Sequence, residues 1–357
     1  MDIKLPNYYL KNVNIALKKT INNVVENGNG EKFEKGAIIT PVKLKKFKDL
    51  YLHYMNFFAN YPDYFIKLIT PSNIKFKLFA YQVYFLRLCL RYARVFIIAC
   101  RAFSKSFISI LALYLMCIFR PGIKLFICAP GKAQSAKIAR EKIIELWNIF
   151  PILKKEIIGE GNFGGDYVKL SFRNGSVFDV VSALDSQRGG RRNAGLIDEV
   201  RDHNADDISS IVLPLLNVSR KQKNGVENES EPKQVQLWMS SASDKNTYCY
   251  DKAIELLELS ILNADKAQIF GVDYRVPMNA GLIDKNFINE LKLSPTFNES
   301  DFAKEYMSRF TGTSEESWFD FDKLASHRIL ANPETHENLR ENTDAYYIFS
   351  VDIAVFI

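Results

Sequence analysis

Apolar residues are not spread evenly along the chain. Before residue 70 they fall at helical spacing, as in "KLKKFKDLYLHYMNFFANYPDYFIKLI" (43–69), where Pro62 breaks the pattern. From about residue 76 the pattern changes. Short β-branched runs alternate with longer amphipathic stretches. "VFIIA" (95–99), "KLFICAP" (124–130), "GLIDE" (195–199), "VQLWMSSAS" (235–243) and "AQIFGV" (267–272) each predict a buried strand. Helices are predicted over 104–118, over 133–150 and near 205–213. "YVKLSFRNGSVFDVVSAL" (167–184) predicts a hairpin that turns at Asn174-Gly175. Strands that alternate with helices imply an α/β fold, its mostly parallel sheet covered on both faces. Segment 219–234, "SRKQKNGVENESEPKQ", lacks apolar periodicity and is expected to be an exposed, mobile insertion. After about residue 277 the chain becomes polar and helical, and it ends on a strand-like run, "AYYIFSVDIAVFI".

Composition narrows this picture little. The 357 residues, 47% hydrophobic and 25% charged, suffice for one large or two ordinary domains and exclude global disorder. The net charge of +6 permits a polyanionic partner without requiring one. Cys89, Cys100, Cys117, Cys128 and Cys249 form no CxxC pair and are expected to be reduced core thiols. The four histidines show no metal-ligand spacing. Arg101 and Lys105 interrupt the apolar stretch 95–119, leaving too little for the ~20 residues of a membrane span. The polar N-terminus shows no signal peptide.

Candidate chemistry begins at "ACRAFSKSF" (99–107). The phosphate-loop pattern GxxxxGK[ST], laid here, puts its glycines on Ala99 and Ser104, its lysine on Lys105 and its hydroxyl on Ser106. The context of strand, tight loop and helix is right. Lys105 could reach the outer phosphates and Ser106 could coordinate Mg²⁺. Lys-Ser is also a common way to start a helix, so this signal is weak alone. "LIDE" then places Asp198 and Glu199 at a strand tip. Such a pair can hold a metal ion's water shell and polarise an attacking water, or it can simply cap the next helix. "DSQRGGRRNAG" (185–195) offers Arg188, Arg191 and Arg192, and Arg101 lies inside the loop itself. Either source could stabilise charge on a terminal phosphate. A basic glycine-containing loop also fits a surface turn or a nucleic-acid contact. "SSAS" (240–243) is a polar tip on a neighbouring strand. In "FAYQVYFLR" (79–87), Tyr81 could stack on a base and Gln82 could bond an adenine edge. A helix with an aromatic core face fits the same residues.

The ordered set of Tyr-Gln, a glycine-poor "CRAFSKS" loop, an Arg-Gly loop, "LIDE", "SSAS" and a terminal "VDIA" resembles the large terminase subunit of tailed bacteriophages, an ATPase motor that packages DNA. In that family the phosphate loop often lacks glycines and carries an early arginine. The resemblance runs from about residue 45 onward. It implies a P-loop NTPase with ATP and Mg²⁺ as cofactors. Gln82 would read adenine, with Tyr81, Arg101, Ser104, Lys105 and Ser106 completing the nucleotide site. Ser106 and Asp198 would serve the metal, Glu199 would be catalytic, and Ser240, Ser241 and Ala242 would couple hydrolysis to movement. Arg188 would act in trans.

The resemblance implies four regions: an N-terminal helical region (1–70), the ATPase domain (71–280), a helical linker (281–340) and the first strand of an incomplete RNase H-like nuclease domain (341–357). Asp352 matches that domain's first metal ligand, but the chain stops five residues later, so nuclease activity is not expected. Implied partners are double-stranded DNA, the procapsid portal protein, the small terminase subunit and further copies in a homo-oligomeric ring, in the host cytoplasm with no membrane. A superfamily 2 helicase and an inactive nucleotide- or DNA-binding fragment are the competing readings.

Overall fold

The computed structural model describes residues 54–181, 190–222, 225–229 and 231–312, together with Ser326. Contacts divide the chain into Met1–Asn56 and Phe57–Ile357, and the following concerns the second unit. Helix α1 (Pro62–Ile69) opens on a proline, whose missing N–H costs nothing at a first helical position. Its Asp63 accepts two hydrogen bonds, at 2.7 and 2.8 Å, from Arg87 of α2 (Ala80–Arg91). Then follow β1 (Arg94–Ala99), α3 (Lys105–Phe119), β2 (Lys124–Cys128) and α4 (Lys132–Ile149). Next come β3 (Asn162–Phe163), β4 (Val168–Ser171), β5 (Val177–Val180), β6 (Ala194–Asp198) and β7 (Val235–Ser240). Helix α5 (Tyr248–Leu262), β8 (Ala267–Val272), α6 (Lys285–Leu293) and α7 (Glu299–Glu305) complete the main elements.

The strands form one eight-stranded sheet in the order β3-β4-β5-β2-β6-β7-β1-β8. Neighbours from β5 to β8 run parallel, and only β3–β4 and β4–β5 are antiparallel. The hairpin expected at Asn174-Gly175 is present, with Gly175 at φ 86°. Its second strand, β5, also pairs in parallel with β2, joining the hairpin to the main sheet.

One face of the sheet packs on α2, α3 and α4. Helix α3 is apolar all round because it is covered all round: Phe107 through Cys117 are buried without a break. At 15 residues it is about 22 Å long. No helix among the described residues is long and apolar enough to cross a membrane. The opposite face packs on α5 and on the helical turns of 200–216, with Trp238, Phe96 and Phe126 fully buried there. All five cysteines are buried and free, as expected.

Segment 219–234 has no buried residue among those described, in line with the expected exposure, but it is tied to the fold more closely than its composition suggests. It folds back through a bridge between Lys221 and Glu227, and Arg220 ion-pairs with Glu231 while its Nη1 donates to the Pro121 carbonyl at 2.8 Å. Local composition hides this because main-chain bonds, one ion pair and a contact to a distant turn leave no mark in apolar periodicity. Residues 275–312 form short helices around a small core of Ile283, Ile288 and Phe302.

Candidate active site

Strand order brings three loops together. β6, β7 and β1 are consecutive in the sheet and parallel, so their carboxyl ends share one edge. Asp198 pairs with Met239, and Ile98 pairs with Ser240. Ligands in open parallel sheets bind at such an edge. A cavity of about 620 Å³ opens here, lined by Gln82, the 100–107 loop, Glu199, Arg201, Ser241 and Glu305, among others.

The loop after β1 makes its tight turn without glycine. Ala102 (φ 59°) and Ser104 (φ 68°) both adopt the left-handed conformation that glycine normally supplies. Ser104 occupies the position of the pattern's second glycine. The lysine side chain folds back across the turn: Lys105 Nζ donates to the Ala99 carbonyl and to Ser241 Oγ, each at 3.1 Å. One ammonium thus ties the tips of β1 and β7 together. Ser106 also lines the cavity.

The Asp-Glu pair is split by its backbone. Asp198 ends β6 and is buried, and its Oδ1 accepts the Glu199 N–H at 3.0 Å. The His203 ring is hydrogen-bonded to the Asp198 carbonyl at 3.0 Å, fixing the strand end. Burial pushes the Asp198 carboxyl up to about 6. The Glu199 charge adds to this and the Lys105 ammonium opposes it. Glu199 has φ 50°, which turns the chain out of the strand and brings the side chain to the cavity. Its Oε2 is buried without a hydrogen-bond partner, with Arg201 Nε 4.0 Å away. Among the described residues, three of the five non-glycine residues with positive φ, Ala102, Ser104 and Glu199, therefore lie at this cavity. Such clustering is typical of functional sites.

Of the other sequence candidates, Ser240 is buried with its Oγ accepting the Arg201 N–H at 3.2 Å, and Ala242 is buried behind it. Arg101 lines the cavity, its side chain held by Glu305 at 2.9 Å. Gln82 lines it too, while its Oε1 accepts the Phe79 N–H at 3.0 Å and caps α2. Tyr81 does not line the cavity. Its ring packs between Phe79 and Phe103, at centroid distances of 6.0 and 4.8 Å, and burial pushes its phenol up to about 12. Phe79 does line the cavity, as do Phe76, Phe103 and Phe107. Arg192 is committed elsewhere, bonded to Asp179 of β5 at 2.6 and 3.2 Å, and Arg191 is exposed. Arg188 and Asp352 lie outside the described residues. No group of three or more potential metal-ligating His, Cys, Asp or Glu occurs among the described residues.

Among the cavity residues that escaped the sequence reading are Arg201 and Glu305. Arg201 carried a signal, standing two residues after Glu199. Glu305 carried none, since it lies over a hundred residues farther along the chain.

No protein-family model matches this sequence. No curated protein matches it either. Solved structures do. The large terminase of bacteriophage HK97 aligns with a TM-score of 0.54 at 12% identity, over 71% of this chain and 55% of that one. The large terminase ATPase domain of Thermus phage P74-26 aligns at 0.48 and 17%, over 68% of this chain and 99% of that one. The large terminase of a thermophilic bacteriophage, in complex with ADP, aligns at 0.47 and 9%, over 65% of this chain and 54% of that one. The mostly parallel sheet and its flanking helices are thus similar in fold to the matching part of the HK97 phage large terminase.

Proposed function

We propose that this chain is the ATP-hydrolysing motor part of a large terminase, driving double-stranded DNA into a procapsid. One observation carries the reading: Lys105 of the glycine-poor loop bridges to Ser241, beside the Asp198-Glu199 tip, at one edge of three parallel strands. The fold likeness to the HK97 protein agrees with it.

In this reading Lys105 leaves the Ala99 carbonyl and Ser241 to hold the outer phosphates, and the free N–H groups at the start of α3 add to that anion site. Gln82 and Phe79 flank the base. The oxygen donors here suit Mg²⁺ in kind: the desolvated Asp198 carboxyl at the strand tip, and the Ser106 hydroxyl and Glu199 carboxylate that line the cavity. When bound, Mg²⁺ would neutralise phosphate charge. Glu199 Oε2, which has no hydrogen-bond partner, would orient the attacking water and take its proton. Ser241, released by Lys105, would report nucleotide state along β7. Arg188 acting in trans, a homo-oligomeric ring, the portal protein and the small terminase subunit complete the proposal by family resemblance.

The helicase alternative requires a second motor domain. No strand beyond β8 is found among the described residues, and 275–312 form short helices around their own small core.

The test is Mg²⁺-dependent ATP hydrolysis, with and without double-stranded DNA, for wild type and Glu199→Ala. The expected result is DNA-stimulated turnover that falls by about 10²-fold or more in the variant. Turnover unchanged in Glu199→Ala would overturn the role of Glu199, and strand separation in an unwinding assay would favour the helicase.

A further inference from the structure

Among the described residues, Glu305 is the carboxylate at the cavity that holds two guanidiniums at once. Its Oε2 accepts from Arg101 Nε at 2.9 Å, and its Oε1 accepts from Arg201 Nη1. Its carbonyl also accepts the Arg101 N–H at 2.9 Å, so the last turn of α7 is bonded to the phosphate loop through main chain and side chain together. Arg101, Arg201 and Glu305 line the cavity alongside Lys105, Ser106 and Glu199. Burial disfavours the charge on Glu305, but the two arginines outweigh it and hold the carboxyl below its usual range. Arg201 is only a quarter exposed and Glu305 less, so the Arg201 pair is poorly screened.

A carboxylate spanning two arginines occupies the kind of place a terminal phosphate takes. Arginine binds planar carboxylates and tetrahedral phosphates by the same fork of donors. A phosphate with more negative charge competes well for that fork, and a carboxylate left facing it would be repelled. A diphosphate, one group shorter, does not set up this competition.

We propose that Arg201 is a cis-acting ligand for the terminal phosphate of a nucleoside triphosphate, and that Glu305 is the positioning residue which holds Arg201 and Arg101 until that phosphate displaces it. The inference rests on the nucleotide-site reading above. Glu305 sets the discrimination between triphosphate and diphosphate. Its release also loosens residues 299–311 from the phosphate loop. The same segment reaches the loop after β7, where Thr311 Oγ1 donates to Asp244 Oδ1 at 2.8 Å. Segment 299–311, which carries Glu305, therefore touches both the loop after β1 and the loop after β7 that begins with Ser241.

The experiment is calorimetric titration of the full chain with ATPγS and with ADP, each with Mg²⁺, for wild type, Glu305→Gln and Arg201→Gln. Glu305→Gln is expected to tighten ATPγS about tenfold and to leave ADP within about twofold, because the arginines lose their competitor. Arg201→Gln is expected to weaken ATPγS about tenfold or more, again sparing ADP. Equal effects on both nucleotides, or none, would overturn the inference while leaving the nucleotide site standing. Failure of folded wild type to bind either nucleotide would overturn both. Should Glu305→Gln fail to fold, hydrogen exchange on wild type decides. Faster exchange across 299–306 with ATPγS than with ADP is expected, and identical exchange would refute the displacement.

Discussion

The loop after β1 makes its turn with alanine and serine where glycine is the easier residue, and this can be measured. Ala102 is exposed at φ 59°, so its methyl contributes little packing and its left-handed backbone costs about 1–2 kcal/mol. Ala102→Gly removes that cost. It also widens the unfolded ensemble, at about 0.5–1 kcal/mol. The net expectation is a gain of about 1 kcal/mol. Ala112, inside α3 and fully buried, is the control. There the same substitution costs about 1 kcal/mol of helix propensity and about 0.8 kcal/mol of buried methyl. The two variants should differ by about 3 kcal/mol, with opposite signs. Urea unfolding of each against wild type would show it, as would melting shifts of about 2–4 °C per kcal/mol. Ser104→Gly should behave like Ala102→Gly, because the Ser104 side chain makes no capping hydrogen bond. If Ala102→Gly destabilises the protein, the strain argument for this loop is wrong.

Three further outcomes are expected. Gly195 of β6 faces the buried Phe126 ring so closely that an added Cβ would lie 2.3 Å from it; Gly195→Ala should cost about 3 kcal/mol, and Phe126→Leu in the same chain should return part of that loss in a double-mutant cycle. Asp198 titrates near 6 when folded and near 3.8 when unfolded, so the folded state holds its proton more tightly; its contribution is largest below about pH 4 and declines by about 3 kcal/mol as pH rises through 6. Asp198→Asn should abolish this decline, so that its stability relative to wild type improves by that amount between pH 4 and pH 7 in urea unfolding; a constant difference would count against the buried carboxylate. Finally, Arg220→Ala should free the folded-back segment, so that limited trypsin digestion cuts at Lys221 or Lys233 sooner than in wild type.

Much of the sheet is legible in the sequence because its strands are short apolar runs buried on both faces. "VFIIA" and "KLFIC" could be little else once helices with long apolar faces follow them. The placement of Lys105, Ser106 and the Asp198-Glu199 pair is legible for a similar reason: the first two open the helix just after such a run, the pair closes another, and a parallel sheet collects strand ends at one edge. The order β6-β7-β1 is not legible, because crossover connections leave no mark in local periodicity. The contact of Glu305 with Arg101 spans 204 positions, and the Arg220–Glu231 clip is a pair of charges in a stretch whose composition suggests only a loop. Phe79 and Tyr81 illustrate a finer limit. Both are aromatic and two residues apart, and only the start of α2 decides which ring lines the cavity and which is packed between its neighbours.

The five buried thiols have a practical consequence. Burial pushes Cys100 and Cys128 up to about 12 and raises the other three as well, so almost no thiolate is present near neutral pH. The native chain should therefore resist maleimide labelling while folded. A single cysteine introduced at an exposed position such as Leu293, which is 83% exposed, would then be the one readily modified sulfur. A fluorophore there would report on the 285–312 segment without stripping the core of its own cysteines.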